Sequence, residues 1–391
     1  MSAKKVKKLS PPAVIGIVGG GQLGRMIAFE AKRMGYKVII LDPKPCSPAG
    51  QVSDEQIVAG YSDLSALREL AKKADVITYE FEHIDAELLG VLEQEGYAVY
   101  PSAASLKLIQ NKYTQKMMLK KIGVGIPEFC LVKTFAELQE AFQSFEHKII
   151  LKSCTHGYDG KGNIIIKGEK QLEEGYAFFG GQELLVEEYV NFSKEVSILV
   201  AKNGAETVYY PVAENTHQDS ILIKSLIPAK ITAETEKQIR EVSEKILEEL
   251  DDIGLFCIEF FVTDAGEVLV NEIAPRPHNS GHYTIEACIA SQFEQLVRIV
   301  CGMPFGSTEL EMPAAMYNLL GSDTVQGEYT IEGLEDFLRI PHCYFHLYGK
   351  EETSPLRKIG HITALAESVE LAESKAEKAL QKIEIRPRVN N

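Results

Sequence analysis

Two glutamates, Glu259 and Glu272, carry the clearest chemical signal in the sequence. They sit in Phe256-Cys-Ile-Glu-Phe-Phe-Val-Thr-Asp-Ala-Gly-Glu-Val-Leu-Val-Asn-Glu-Ile273, which alternates as two strands about Ala265-Gly266. A two-residue turn there sets Asp264 opposite Glu267, and counting outward sets Glu259 opposite Glu272 on one face. Their neighbours on that face are then Cys257, Phe261, Val268 and Val270, which are mostly apolar. Like charges directly opposed are destabilising, and desolvation adds to the cost. A divalent cation removes the conflict, because carboxylate, phosphate and water oxygens make the usual Mg²⁺ shell. The alternatives are a solvated glutamate face or another turn length that shifts the register.

The other signals are basic or glycine-rich. Lys152 follows a strand expected over 148–151, and Gly157-Tyr-Asp-Gly-Lys-Gly162 leads into a strand over 163–166. A Walker A loop would open a helix with Gly-Lys-Ser/Thr, so this strand, loop, strand order is something else. Its backbone N–H groups can still cover a triphosphate, with Lys152 and Lys161 adding point charge; an ordinary hairpin loop is the alternative. Ala274-Pro-Arg-Pro-His-Asn-Ser-Gly-His-Tyr283 follows the second glutamate immediately. Arg276 there suits an anion, and the histidines with Asn279 suit a small polar substrate, against the commoner fate of a buried structural histidine. Leu184-Leu-Val-Glu-Glu-Tyr-Val190 offers strand backbone to an adenine edge, and Glu195 a carboxylate for ribose hydroxyls.

Near the amino terminus, Gly19-Gly-Gly21-Gln-Leu-Gly24 fits GxGxxG between a strand and a helix. Such a turn exposes helix-start N–H groups to an anion. Asp42 lies 18 residues after Gly24, roughly where a dinucleotide site keeps its ribose-binding acid. A dinucleotide, another phosphate ligand and a purely structural turn all remain open on these residues. Glu80 and Glu82 fall just past a strand end, where ligands of open α/β sheets gather, or else on a solvated loop.

The elements that must position these groups divide the chain. Strands over 14–18, 37–41, 75–78 and 97–100, with a helix over 23–34, predict a parallel, doubly wound α/β unit over 13–110. A Lys-rich helix is expected over 105–122. The region 111–305 reads as α+β, and 306–391 as a third unit with short strands near 314–319 and 343–347 and a helix over 371–383. Residues 1–12 read as a frayed tail that is not a signal peptide.

Composition narrows the function. With 41 Lys+Arg against 56 Asp+Glu, the net charge of −15 gives no long-range attraction for nucleic acid or an anionic membrane. Phosphate sites must therefore be built locally. Seven cysteines without CxxC spacing argue against structural zinc and for a reduced, cytoplasmic setting. No apolar run is long enough to span a bilayer.

Taken together, the constellation resembles the ATP-grasp enzymes, and among them the N5-carboxyaminoimidazole ribonucleotide synthetase family of purine biosynthesis. The resemblance covers about 15–363 and rests on Gly-Gly-Gly-Gln-Leu-Gly-Arg25, Thr-Tyr-Glu-Phe-Glu82, Gly-Tyr-Asp-Gly-Lys-Gly162, Asn-Glu-Ile-Ala-Pro-Arg-Pro-His-Asn-Ser-Gly-His282 and Tyr-Gly-Lys350. It implies an ATP-grasp fold with an amino-terminal Rossmann-like, pre-ATP-grasp domain and a small β-rich carboxy-terminal domain. It implies ATP- and bicarbonate-dependent carboxylation of aminoimidazole ribonucleotide through carboxyphosphate, with one or two Mg²⁺ ions or Mn²⁺ in their place.

The site residues follow from the same resemblance. ATP would be held by Lys112, Lys152, Gly157, Tyr158, Asp159, Gly160, Lys161, Gly162, Asn163, Glu187, Glu188, Tyr189, Val190, Glu195, His217, Asn271 and Glu272, and the metal by Glu259 and Glu272. Tyr158, Asp159, Arg276, His278 and Asn279 would line the bicarbonate and amine site. Gly21, Gln22, Leu23 and Glu80 would meet the ribonucleotide, and Lys350 with Arg357 its 5′-phosphate. The glycine loop is thereby reassigned from NAD to a ribonucleotide.

A cytoplasmic homodimer that hands its carbamate to a separate mutase is also implied. Two departures stand out: Asn111 replaces the Asp often found before Lys112, and Thr353-Ser-Pro-Leu356 replaces an Arg-Pro-Gly-like stretch before Arg357. The rivals are another ATP-grasp ligase, such as a formate-dependent glycinamide ribonucleotide transformylase or a biotin-carboxylase-like enzyme, an NAD-dependent oxidoreductase, and a silent nucleotide-binding protein.

Overall fold

The structure, a computed structural model, describes residues 6–155 and 162–388. The amino-terminal sheet is parallel, in the order Glu55–Ile57, Lys37–Leu41, Val14–Val18, Val76–Tyr79. Ile15, Ile17, Val18, Val38, Ile40 and Leu41 are buried, as a sheet covered on both faces requires. Helix Gln22–Arg33 follows the first strand. The expected strand over 97–100 makes only a bridge between Val99 and Ile77; Pro101 follows, and without an N–H it cannot extend a ladder. The amino-terminal segment is anchored where an apolar side chain reaches the core. Leu9 is buried, its N–H donates to the Cys301 carbonyl at 2.9 Å, and its own carbonyl accepts from the Tyr36 hydroxyl at 2.8 Å.

The helix expected over 105–122 is two helices, Ala103–Gln110 and Lys112–Lys121. Asn111 between them is extended, and its side chain accepts from the Thr114 N–H at 3.0 Å. Asn and Asp are both strong N-caps, so the substitution noted in the sequence keeps this function. The break lets the Lys112 N–H donate to the Cys154 carbonyl at 2.9 Å, tying the helix start to a small antiparallel sheet. That sheet runs Phe129–Val132, Leu184–Glu188, Ile149–Ser153, Asn163–Ile166. Helices Phe135–Ser144 and Glu169–Phe178 cover it around Leu138, Phe142, Leu151 and Leu172.

Beside a small sheet of Glu352–Thr353, Gly327–Glu332 and Glu384–Pro387, a nine-stranded sheet forms most of the rest. Its main path is Val268–Ala274, Gly254–Val262, Lys194–Lys202, Ala213–Gln218, Ile221–Ile227, Ala314–Leu320, Lys358–Leu365, Cys343–Leu347, with Thr207–Tyr209 beside Lys194–Lys202. The carboxy-terminal strands thus extend the same sheet, and helix Val369–Leu380 packs beneath them. Helix Gln292–Val300 places Phe293 and Val297 in one core with Leu23 and Ile27, which fixes the amino-terminal unit against the large sheet.

Glu259 and Glu272 are cross-strand partners, but the turn differs from the two-residue one expected. Thr263 N–H donates to the Glu267 carbonyl at 3.0 Å, which leaves Asp264, Ala265 and Gly266 as a three-residue loop with Gly266 at φ +81°. This is the three-residue hairpin that needs a left-handed residue at its end. The register beyond it would miss Glu272 by one residue, and an irregularity beside Asn271 restores the pairing. The same irregularity turns Val268 and Val270 to the opposite face, into a core with Ile258 and Phe260, so they are not neighbours of the glutamates.

Candidate active site

The small sheet presents a buried charge cluster. Lys152 pairs with Leu185, so Glu187 is its diagonal neighbour on one face, and their side chains meet at 2.6 Å. Lys116 reaches the same carboxylate at 3.1 Å from helix Lys112–Lys121 and also donates to the Val270 carbonyl at 3.2 Å. Burial alone would raise the Glu187 pKa, but Lys116 and Lys152 outweigh it and hold it at about 2. Burial dominates at Lys116 and brings its ammonium down to about 8 despite Glu187. Two cations share one anion, and Lys152 also donates to Asn271 Oδ1 at 3.4 Å. One positive charge is left over beside the paired glutamates.

Lys112 opens its helix and forms an ion pair with Glu272. Burial pushes Glu272 up, yet the charge and hydrogen bond of Lys112 bring it below the ordinary carboxylate value. Among the described residues Glu259 has no lysine partner, and burial, then the Glu272 charge, raise it. His278 Nε2 lies 3.5 Å from Glu259, and His278 Nδ1 lies 2.8 Å from the Ser280 hydroxyl. Burial and the Arg276 charge keep the His278 pKa well below the usual value, so the ring is neutral near pH 7. His217 forms a pair with Glu195; burial opposes its protonation, but the hydrogen bond and charge of Glu195 prevail and raise its pKa. A narrow polar cleft is lined by Glu82, Lys112, Gln115, Thr155 and Glu272.

Several expected groups are placed differently. Arg276, read as an open anion clamp, already grips Glu82 through both Nε and Nη2, the latter at 2.7 Å. Burial would raise Glu82, but Arg276 holds it at about 2. The amides of the glycine loop are also taken. Gly20 N–H donates to Asp42 at 2.8 Å, Gly24 N–H to Glu80 at 2.6 Å, and Gly21 N–H to the other Glu80 oxygen. The anions on this loop are the protein's own carboxylates, which removes the basis for a pyrophosphate there. Gln22 is half-buried at the helix start, and Leu23 is buried.

The strand Leu184–Glu188 gives its carboxylates to protein partners. Glu187 is enclosed by the lysines, and Glu188 accepts from the Glu128 N–H at 2.9 Å. Lys148 sits 3.3 Å above the Tyr189 ring, and Val190 follows half-buried. Gly162 accepts from the Ser153 N–H at 3.0 Å, and Asn163 pairs with Lys152. Gly157, Tyr158, Asp159, Gly160 and Lys161 lie outside the described residues.

Lys350 donates to the Lys358 carbonyl at 2.6 Å, and its charge acts on Glu80, which places the 348–350 loop beside the glycine loop. Gln51 confirms the approach by donating to the Gly349 carbonyl at 2.9 Å. Arg357 is half-buried and close enough to Tyr329 to oppose the burial-driven rise of that phenol. Its N–H closes a turn onto the Ser354 carbonyl at 3.0 Å, with Pro355 second and Leu356 third at φ +61°. Leu356 thus stands in the left-handed position that a glycine fills most easily.

Two site lysines were not singled out from the sequence. Lys116 lies one turn from Lys112, an i,i+4 spacing that could have flagged it. Lys358 is buried, and its charge depresses His278 while opposing the rise at His217.

A small sheet bearing buried Lys152 and Glu187, set against a large sheet bearing opposed glutamates, defines an ATP-dependent ligase of the ATP-grasp class. An ATP-grasp domain family matches residues 117–293, a ribonucleotide synthetase preATP-grasp domain family 13–110, and a phosphoribosylaminoimidazole carboxylase C-terminal domain family 314–375. The N5-carboxyaminoimidazole ribonucleotide synthase of Bacillus subtilis is 43% identical over 90% of this chain and 91% of its own length. The structure of N5-carboxyaminoimidazole ribonucleotide synthetase from Thermotoga maritima has a TM-score of 0.88 at 46% identity, covering 96% of this chain and 100% of that one. A structure of the Aspergillus clavatus synthase in complex with ADP and 5-aminoimidazole ribonucleotide has a TM-score of 0.87 at 32% identity, covering 94% and 98%. The chain belongs to the N5-carboxyaminoimidazole ribonucleotide synthetase family. No helix among the described residues is long and apolar enough to cross a membrane.

Proposed function

We infer that the chain uses ATP and bicarbonate to carboxylate 5-aminoimidazole ribonucleotide, releasing ADP and phosphate, as a step of purine biosynthesis. The observation that carries this reading is the surplus positive charge of Lys116 and Lys152 next to the opposed Glu259 and Glu272. A bicarbonate oxygen attacks the γ-phosphorus of ATP and the bond to ADP breaks, giving carboxyphosphate. Carboxyphosphate splits into CO₂ and phosphate; the amine nitrogen bonds to the carbon and loses one proton, leaving the carbamate.

Lys112, Lys152, Gly162, Asn163 and the 157–161 loop hold the phosphates. Because the Glu187 and Glu188 carboxylates have protein partners, the adenine edge falls to the backbone of 187–190, and the ribose to Glu195 with His217. Arg276, His278 and Asn279, with Tyr158 and Asp159, receive bicarbonate and the amine. Glu82 competes for Arg276 until an anion arrives. Gly21, Gln22, Leu23 and Glu80 meet the ribonucleotide, and Lys350 and Arg357 its phosphate.

Among the described residues no three His, Cys, Asp or Glu side chains form a metal cage. The Glu259 and Glu272 oxygens, with Asn271 beside them, instead suit a hard cation that completes its shell with phosphate and water. The raised pKa of Glu259 marks where that charge would be welcome. Mg²⁺ held there would neutralise phosphate charge as it is transferred. Units over 13–110, 111–305 and 306–391 meet at this site, and the enzyme works as a cytoplasmic homodimer whose product goes to a separate mutase.

The test is ADP release with purified protein, ATP and Mg²⁺, adding bicarbonate and the ribonucleotide separately and together. Stimulation by the ribonucleotide is expected, and its absence overturns the reading.

A further inference from the structure

Three imidazoles stack in the interior beside the proposed site, and none has a role in the chemistry above. His346 and His361 are direct cross-strand partners, with ring centroids 4.4 Å apart and planes 14° from parallel. His282, at the end of the loop that begins with Arg276, stacks on the other side of His361 at 4.4 Å and 17°. His282 and His361 are fully buried. His346 is the outer ring, and its Nε2 lies 2.6 Å from the Glu286 carboxylate.

The hydrogen bonds of this column lead to two different parts of the site. His282 Nε2 lies 3.1 Å from Asn279 Oδ1; since that oxygen only accepts, the ring nitrogen carries the hydrogen. The bond directs the Asn279 amide nitrogen away from the column. His361 Nδ1 lies 3.0 Å from the Tyr348 hydroxyl. Tyr348 is two residues before Lys350.

The column is a costly way to fill space. Among the described residues, His282 Nδ1, His361 Nε2 and Glu286 Oε2 are buried without a hydrogen-bond partner. Unpaired buried polar atoms are unfavourable, and phenylalanine or leucine would fill the same volume without them. The two inner rings earn their place through the bonds they make to Asn279 and Tyr348. Burial and the neighbouring rings keep both inner imidazoles far below the usual histidine pKa, so they stay neutral and can stack without repulsion.

We propose that the His282, His361, His346 column is a positioning device that sets the separation between Asn279, at the amine end of the ribonucleotide, and Lys350, at its phosphate end. A ligand bridging both ends then meets two groups already held at the right span, and part of the ordering cost of binding is removed beforehand. The inference rests on the ribonucleotide reading above and adds the residues that determine how tightly that substrate is held.

The test uses His361→Phe and His282→Phe, which keep an aromatic ring in the stack and delete one bond each, with Tyr348→Phe removing the hydroxyl from the far side. The expected result is a rise of about tenfold in KM for the ribonucleotide in each folded variant. KM for ATP stays within about twofold. His282→Gln, which restores a donor to Asn279, recovers part of the affinity. Folded variants with the wild-type KM for the ribonucleotide would reduce the column to packing and overturn the proposal. If the histidine variants do not fold, Tyr348→Phe decides alone, since it leaves all three rings in place. A wild-type enzyme that ignores the ribonucleotide removes both the functional reading and this proposal, whereas a stimulated wild type with unaltered variants removes the proposal only.

Discussion

Replacing Lys116 by Met tests whether the cluster of Lys116, Glu187 and Lys152 exists for binding or for stability. All three side chains are at most 6% exposed. Holding Glu187 from 4.5 down to about 2 favours folding by about 3 kcal/mol at neutral pH. Depressing Lys116 from 10.5 to about 8 disfavours folding by about 3 kcal/mol below pH 8. The two shifts oppose each other and share one Lys116–Glu187 attraction, so the cluster adds little net stability, as is common for buried ion pairs.

Its charge is another matter. In Lys116→Met the remaining pair is neutral, and the surplus positive charge is gone. Both ammonium groups contact Glu187, at 2.6 and 3.1 Å, so a phosphate one further contact beyond Lys152 would lie roughly 8 Å from the Lys116 ammonium. At an effective dielectric constant of about 20, a unit charge at that distance is worth about 2 kcal/mol, or about thirtyfold in affinity. The assay is KM for ATP beside the thermal midpoint. The expected result is a KM raised ten- to thirtyfold, with the midpoint moved by only a few degrees and kcat largely retained. Lys116→Arg should recover part of the loss. A folded Lys116→Met enzyme with KM for ATP within twofold of wild type refutes the electrostatic argument.

Further outcomes follow from other parts of the structure. Glu259→Gln and Glu272→Gln should each abolish Mg²⁺-dependent ADP release with the far-UV circular dichroism unchanged; normal turnover in both would remove the metal assignment. Glu82 has a folded pKa of about 2, below its ordinary 4.5, so its stabilisation is present above pH 4.5 and is lost as pH falls towards 2. Glu82→Gln should therefore cost about 3 kcal/mol in urea unfolding at neutral pH and flatten that acid limb; an unchanged limb would contradict it. Leu356→Gly should stabilise the fold by about 0.5 to 1 kcal/mol, because relief of the left-handed backbone exceeds the entropy cost of glycine. A lower urea midpoint would show that the Leu356 side chain contributes packing that outweighs the strain.

The parts legible from sequence are those whose partners lie close along the chain. Strands of Val and Ile separated by helices announce a parallel sheet, and a hairpin brings Glu259 to Glu272 because only a short loop separates them. Even there the loop is one residue longer than the alternation predicts, and the pairing survives because the irregularity at Asn271 offsets the longer turn. Asn111 shows the same limit, since a Lys-rich apolar pattern ran straight through a residue whose side chain caps a new helix.

Amino-acid types alone determined that the chain is α/β followed by α+β, that its phosphate sites must be local, and which loops hold lysine, glycine and glutamate. Tertiary packing decided what each charged group faces. Arg276 meets Glu82 across 194 residues of sequence, Glu80 meets Gly21 across 59, and Lys112 meets Glu272 across 160. The histidine column likewise joins a loop and two strands. Periodicity reports which face of an element is buried, because that depends on neighbours within a few residues. It carries no record of which distant segment closes over that face, and burial beside a particular opposite charge is what sets whether a carboxylate is held at about 2, as at Glu82, or raised, as at Glu259.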